Sequence, residues 1–303
     1  APPAPDARPP ALNKIVVPFA PGGSTHPIAR AVAPPLAKRL GATVIVENKP
    51  GAAGVIGADS VAKSPRDGSV LLLTSSTFLT AAATQPRLPY DPLAAFSPVA
   101  MVGQGPLLLA VSSATGIKSA AELVAAARAK PGMLTYGTAG LGSIAHMATE
   151  MFSDGARLQL RHVPYKGAAN ALMDMAGGQI DLMISNYSSL APQIKAGRVR
   201  ALAVTSRQAN AAYPELPPLG SVAPGFAANI WVSVLAPAGT PAALVQRLNR
   251  EINAVAATPE VRALLESDGA QPTTLTPVEL SQTLREELDM WKKVAAEKRI
   301  VAE

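Results

Sequence analysis

Short runs of β-branched and aliphatic residues alternate with longer amphipathic stretches along nearly the whole chain. Lys14–Phe19, Thr43–Glu47 and Ser69–Thr74 read as strands, the last fully apolar. Strands this apolar fit a parallel sheet covered on both faces. The stretches Thr25–Leu40 and Gly57–Lys63 between them read as helical. Further strands are expected at Ser97–Val102 and Leu107–Val111, flanking a Gly103-Gln104-Gly105-Pro106 turn. Helices at Ser119–Ala129, Ser143–Phe152, Ala168–Ala176 and Ser188–Ala196 then alternate with strands at Leu134–Gly137, Leu158–Val163, Ile180–Ser185 and Val199–Val204. Tyr213–Gly225 is Pro-rich and reads as a long loop before a strand at Ile230–Leu235. Helices at Thr240–Ala256, Pro259–Ser267 and Pro277–Arg299 close the chain; the last carries Leu280, Leu284, Leu288 and Trp291 on one face.

This alternation predicts an α/β protein. A faint internal likeness divides it. One segment runs strand, Pro21-Gly22-Gly23-Ser24, helix, strand, Gly51-Ala52-Ala53; another runs strand, Gly140-Leu141-Gly142-Ser143, helix, strand, Gly167-Ala168-Ala169. The expected architecture is two lobes, each a mostly parallel sheet flanked by helices, with a cleft between them. Lobe one takes residues 13–105 and 229–303, lobe two takes 106–228, and residues 1–12 form a loose Pro-rich arm. A single large sheet is the alternative.

Two strand–loop–helix junctions are the main candidates for chemistry. Phe19 leads into Gly22, Gly23, Ser24, Thr25 and His26, with Pro27 suited to a first helical turn. Ser24 or Thr25 is expected to cap the helix. Free N–H groups and the helix dipole together favour an anion there. Thr138, Ala139, Gly140, Gly142 and Ser143 repeat this grammar, with His146 three residues on. Gly140–Ala145 also matches a dinucleotide fingerprint, but the next strand ends at Val163-Pro164-Tyr165-Lys166, without the ribose-binding acid. A small carboxylate is the better occupant. His146 is either a ligand donor or a packing residue. Ser75, Ser76, Thr77 and Asn186 follow strands, where open α/β sheets bind ligands.

Composition narrows the classes. Of 303 residues, 48% are hydrophobic and 16% charged, which excludes intrinsic disorder. No apolar run approaches the roughly 18–20 residues that span a bilayer. With no Cys and three His, thiolate chemistry is excluded and a His-based metal site has little to draw on. The net charge of +6 is scattered, and at 4% aromatics are too few for a nucleic-acid stacking platform. No nucleophile elbow, P-loop or H-E-x-x-H motif is present, so no catalytic residue is assigned. The opening Ala1-Pro2-Pro3-Ala4-Pro5 reads as the start of a mature exported chain, the alternative being a trimmed one.

Several segments together carry a resemblance. They include Pro18–Ser24, Val46-Glu47-Asn48-Lys49-Pro50-Gly51-Ala52-Ala53-Gly54, Leu88-Pro89-Tyr90-Asp91-Pro92 and Gly142-Ser143 with His146. His162-Val163-Pro164-Tyr165-Lys166-Gly167, Ile194–Thr205 and Leu235–Pro241 continue it. From about Lys14 to Ile300 the chain resembles the Bug-type extracytoplasmic solute receptors, the substrate-binding components of tripartite tricarboxylate transporters. The resemblance implies a two-lobed periplasmic-binding-protein fold, an exported monomer working in the periplasm, and no cofactor, metal, nucleic acid or membrane insertion. It implies that a small carboxylate is held by the loops after Phe19 and around Gly140–Ser143, partly through water, and passed to membrane subunits of a transporter. A sensor that reports its ligand to a membrane-bound regulator is the alternative. One position departs from the family pattern: His26 stands where an Asp is usual. His supplies no fixed negative charge for an ammonium group, so a di- or tricarboxylate or an aromatic acid is expected rather than an amino acid. Alternatively, residue 26 only caps its helix.

Overall fold

A computed structural model describes residues 12–21 and 24–302. In chain order its strands are β1 (Lys14–Val17), β2 (Ile45–Asn48), β3 (Val70–Ser75), β4 (Phe96–Pro106), β5 (Leu108–Ser112), β6 (Thr135–Thr138), β7 (Arg161–Pro164), β8 (Leu182–Ser185), β9 (Val199–Val204), β10 (Asn229–Pro237) and β11 (Gln271–Pro272). The helices are α1 (Thr25–Leu40), α2 (Val55–Ala62), α3 (Thr77–Thr84), α4 (Ala120–Ala129), α5 (Ile144–Gly155), α6 (Ala168–Ala176), α7 (Tyr187–Lys195), α8 (Ala242–Ala256), α9 (Pro259–Glu266) and α10 (Pro277–Lys298). The strands form two sheets, ordered β11-β4-β10-β3-β1-β2 and β7-β6-β8-β5-β9. The chain passes from one sheet to the other at Leu107 and returns between β9 and β10.

Strand periodicity explains why the first sheet is covered twice. Successive side chains on a strand point to opposite faces. Ile15, Val17, Leu71 and Leu73 pack with Val32 and Leu36 of α1 and Leu248 and Ile252 of α8. Val16 and Leu72 face the other way, toward Val61 of α2, Leu79 of α3 and Leu284 and Trp291 of α10. That core continues into the second sheet through Leu109, Tyr136, Met147 and Phe152. The second sheet's far face packs Leu108, Ala110 and Met183 against Met175 of α6 and Leu190 of α7. Helix α1 keeps its expected bounds despite Pro34 and Pro35, because Ile28, Val32, Leu36 and Leu40 form a continuous buried stripe. Gly41 ends it in the left-handed region, at φ 62°.

The two-lobed α/β architecture is present, and both sheets are mixed rather than mostly parallel. Strand β1 pairs in parallel with β2 and β3, and β6 with β7 and β8. Strand β10 runs antiparallel to β3 and β4, and β5 antiparallel to β8 and β9. The antiparallel ladders belong to the strands that carry the chain between sheets. The expected turn at Gly103–Pro106 is instead continuous strand in β4. Its glycines serve close approach: an added Cβ would lie 2.8 Å from the Gln271 carbonyl at Gly103 and 2.6 Å from Ala270 Cα at Gly105. Helix α3 was not expected. Phe78, Leu79, Thr80, Ala81, Ala82 and Thr84 are all buried, so no polar face marks it in the sequence. The proposed arm falls outside the described residues up to position 11, whereas Leu12 is anchored in the core.

Candidate functional site

Parallel strands set the geometry of the site. The carboxyl ends of β1 and β3 lead into α1 and α3, and those of β6 and β8 lead into α5 and α7. Ligands of open α/β sheets bind at such ends, and the sequence-derived candidates among the described residues fall there.

On the first sheet, Phe19 is half-buried and its carbonyl accepts from Asn48 Nδ2 at 2.9 Å. Its ring lies over Gly54, where an added Cβ would come within 3.1 Å. Gly22 and Gly23 lie outside the described residues. Ser24 precedes α1 but makes no side-chain cap, contrary to expectation, because its backbone is already helical at φ −67°, ψ −28°. Thr25 is buried as the first helical residue. The first turn of α1 holds no acid, and among the described residues no side chain caps its leading N–H groups. His26 is half-buried, and its Nδ1 is buried with no partner among the described residues. Ser75 is buried in the β3–β10 ladder opposite Val232. The buried Ser76 hydroxyl accepts from Trp231 N at 2.9 Å and so ties α3 to β10. Thr77 is half-buried at the start of α3.

On the second sheet the loop before α5 is held from within. Gly140 and Gly142 take φ 135° and 77°, which side chains disfavour. Ala139 is exposed between the buried Thr138 and this turn. Ser143 caps α5: its Oγ accepts from His146 N at 3.3 Å and donates to the Gly140 carbonyl at 2.8 Å. Gly142 N donates to His146 Nδ1 at 3.1 Å. That nitrogen of His146 is therefore spent inside the loop. The buried His146 ring stacks on His162 with centroids 3.9 Å apart, and His162 stacks on Tyr136 at 4.9 Å. Thr138 Oγ1 meets His162 Nε2 at 2.6 Å, and the Tyr136 hydroxyl donates to Glu150. The arrangement makes His146 a support of the loop.

The two imidazoles give the site a pH dependence. Both are lowered to about 4, chiefly by burial, with the neighbouring His146 contributing at His162. Their folded values lie below the ordinary 6.5, so the unfolded chain binds more protons as the pH falls through that interval. Stability from this source is complete above pH 6.5 and is lost toward pH 4. Acidification from pH 7 to 4.5 is expected to lower Tm, with these rings accounting for on the order of 5 °C. A His146→Gln/His162→Gln variant should show a shallower slope by calorimetry; an unchanged slope would assign the effect to carboxylates elsewhere.

Asn186 stands at the start of α7, and its side chain does not cap that helix. Its Nδ2 donates to Ser188 Oγ at 2.7 Å and to Asp268 Oδ1 at 3.3 Å. Asp268 itself caps α7, accepting from Ser188 N at 2.7 Å. Sequence reasoning missed Asp268, because it lies 80 residues from Ser188 and in no motif. It also missed a cavity of about 440 Å³ lined by Ala52, Ala53, Gln85, Leu141, Val301 and Ala302. Ala52 and Ala53 there have φ 51° and 54°, and Gln85 Nε2 donates to the Ala52 carbonyl at 3.1 Å. The Gly51–Gly54 run carried the signal for this loop. Among the described residues no group of three His, Cys, Asp or Glu side chains could hold a metal ion.

Comparison with known proteins adds to this geometry. The family model described as "Tripartite tricarboxylate transporter family receptor" matches residues 28–300. Protein BugT of Bordetella pertussis is 36% identical over 300 residues, covering 98% of this chain and 92% of the relative. A solved structure from R. palustris with adipate superposes with a TM-score of 0.85 at 33% identity, covering 96% of this chain and 98% of that one. MatC from Rhodopseudomonas palustris, with bound malate, has a TM-score of 0.81 at 30% identity, covering 93% and 98%.

Proposed function

This chain belongs to the tripartite tricarboxylate transporter receptor family, and we propose that it captures a small carboxylate by lobe closure and delivers it to membrane subunits of such a transporter. The family is one of solute-binding receptors rather than enzymes. Its receptors are periplasmic, and among the described residues no helix is long and apolar enough to cross a membrane. We place this chain in the periplasm as a monomer, with lobes of residues 13–105 plus 229–303 and of residues 106–228.

One observation carries the reading. Helices α1 and α5, one on each sheet, both begin at strand carboxyl ends with no acid in the first turn. Each offers main-chain N–H groups and the positive end of a helix dipole. Phe19, Ser24, Thr25 and His26 surround the first seat; Thr138, Ala139, Gly140 and Ser143 build the second. The His26 Nδ1, with no partner among the described residues, adds an imidazole nitrogen beside the first. A ligand with two carboxylates and no amino group fits this pair, and adipate and malate on the two structural relatives are such molecules. The net charge of +6 favours anions at long range.

Thermal stabilisation tests the proposal. A ligand at 100 times its Kd adds about 2.7 kcal/mol, which raises Tm by roughly 4 °C for a chain of this size. Aliphatic dicarboxylates are expected to give that shift and α-amino acids none. A flat response across dicarboxylates, tricarboxylates and aromatic acids would overturn it.

A further inference from the structure

Tyr136 and Thr138 are two residues apart on β6 and so face the same side of the second sheet. His162 is the partner of Tyr136 across the parallel β6–β7 ladder, which carries its ring to that side as well. The ring stacks on the buried Tyr136 at 4.9 Å and on the buried His146 at 3.9 Å. The Tyr136 hydroxyl donates to Glu150 of α5. Glu150 and Asp154 in turn pair with Lys298 of α10, at 4.0 and 3.1 Å. From this position His162 reaches the α5 loop by two routes. Thr138 Oγ1 lies 2.6 Å from His162 Nε2 and accepts from Gly140 N at 3.1 Å. His146, stacked on the same ring, accepts from Gly142 N at 3.1 Å through Nδ1. Ser143 N donates to the Gly140 carbonyl at 3.3 Å. Three N–H groups of the loop are thus turned inward, and the bonds behind them set which main-chain donors face outward.

We propose that His162 is a positioning residue for carboxylate binding, one that fixes the α5 loop through Thr138 and His146 without touching the ligand. The inference rests on the carboxylate-receptor reading above and adds the group that orients its second seat. Gly140 and Gly142 give the loop little conformational preference of its own, so its backbone follows the hydrogen bonds that hold it. Main-chain donors serve an anion best when they are already aimed at its oxygens. Loss of Nε2 would leave the buried Thr138 hydroxyl free to turn, and Gly140 N with it. The stack alone would then hold the Gly142 end.

His162→Phe keeps the stack on Tyr136 and His146 and removes Nε2. His162→Asn is a smaller second variant, whose amide stops short of Thr138. Kd for the best binder among four- to eight-carbon aliphatic dicarboxylates is measured by calorimetry well below Tm, the stoichiometry reporting the folded fraction. Both variants are expected to raise Kd by about tenfold at unchanged stoichiometry. His162→Gln, whose amide reaches the place of Nε2, should restore Kd to within about threefold of wild type. Thr138→Val should also raise Kd, and combined with His162→Phe it should add nothing further. Ser153→Ala removes a buried hydrogen bond to the Leu158 carbonyl at the far end of α5. It should lower Tm and leave Kd within about twofold of wild type. Wild-type Kd in His162→Phe and His162→Asn, whatever their Tm, overturns the inference and assigns His162 to the fold alone. So do effects of His162→Phe and Thr138→Val that multiply in the double variant. Either result leaves the receptor reading standing. A wild type that binds no member of the series overturns both.

Discussion

Replacing His26 with Asp is expected to weaken dicarboxylate binding by roughly 100-fold. Residue 26 lies in the first turn of α1, where no acid is present. A fixed negative charge about 5 Å from a bound carboxylate, at an effective dielectric near 20, costs about 3 kcal/mol. The new carboxylate would also compete for the N–H groups that the ligand needs, and the His26 imidazole would be lost. The same charge provides a partner for an ammonium, so the variant should shift preference from a dicarboxylate toward its 2-amino analogue. Calorimetry on the matched pair reads both effects. If position 26 matters only to the helix, Asp would instead stabilise α1 by about 0.5 kcal/mol through the dipole and leave both affinities where they were.

Gly142→Ala is expected to be strongly destabilising. Gly142 sits at φ 77° and packs against α3 of the first sheet. An added Cβ would overlap Thr84 Oγ1 and lie 3.1 Å from Thr84 Cβ. Thr84 cannot easily turn aside, because it is buried and its hydroxyl donates to the Thr80 carbonyl at 2.8 Å. Left-handed strain of about 1–2 kcal/mol adds to overpacking of about 1–3 kcal/mol. The loop would leave α3, and the Gly142–His146 hydrogen bond with it. We expect Tm to fall by about 3–8 °C and carboxylate affinity to drop by about 100-fold as the α5 seat is displaced. Gly132→Ala is the control: at φ 77° with nothing within 4 Å of an added Cβ, it carries the strain without the overlap. Thr84→Ala should recover part of the loss in the Gly142→Ala background, with a coupling of about 1 kcal/mol. Equal stability of Gly142→Ala and Gly132→Ala would refute the packing argument.

These two glycine positions show how far the sequence could be read. Gly140, Gly142 and Ser143 announced a turn that opens a helix, and the structure has that turn. Gly103 and Gly105 carried the same local signal and lie instead in a continuous strand. Glycine marks both sharp turns and close approaches of backbone, and only the neighbour across the gap separates the two. The neighbours of Gly103 and Gly105 are residues 265, 270 and 271, far along the chain. Helix α3 was hidden for a related reason. An element buried on every side loses the polar stripe that periodicity depends on. His146 could be placed on the first turn of its helix from the sequence, but its ring was claimed by His162 and Gly142 N only once β7 lay beside β6.

The sequence by itself determined the alternation of strands and helices, the bounds of α1, the apolar run Val70–Leu73 of β3 and the glycine-marked loops at strand carboxyl ends. These rest on periodicity and on backbone preferences within a few neighbouring residues. Its family likeness told which kind of receptor those loops serve. The tertiary structure alone decided which loop groups are already spent and which stay available. It gave Ser76 to Trp231, His146 to Gly142, and the N-terminus of α7 to Asp268. Each of these is a hydrogen bond whose partner is chosen by folded geometry. Two of them join residues 80 or more positions apart, which no local pattern encodes.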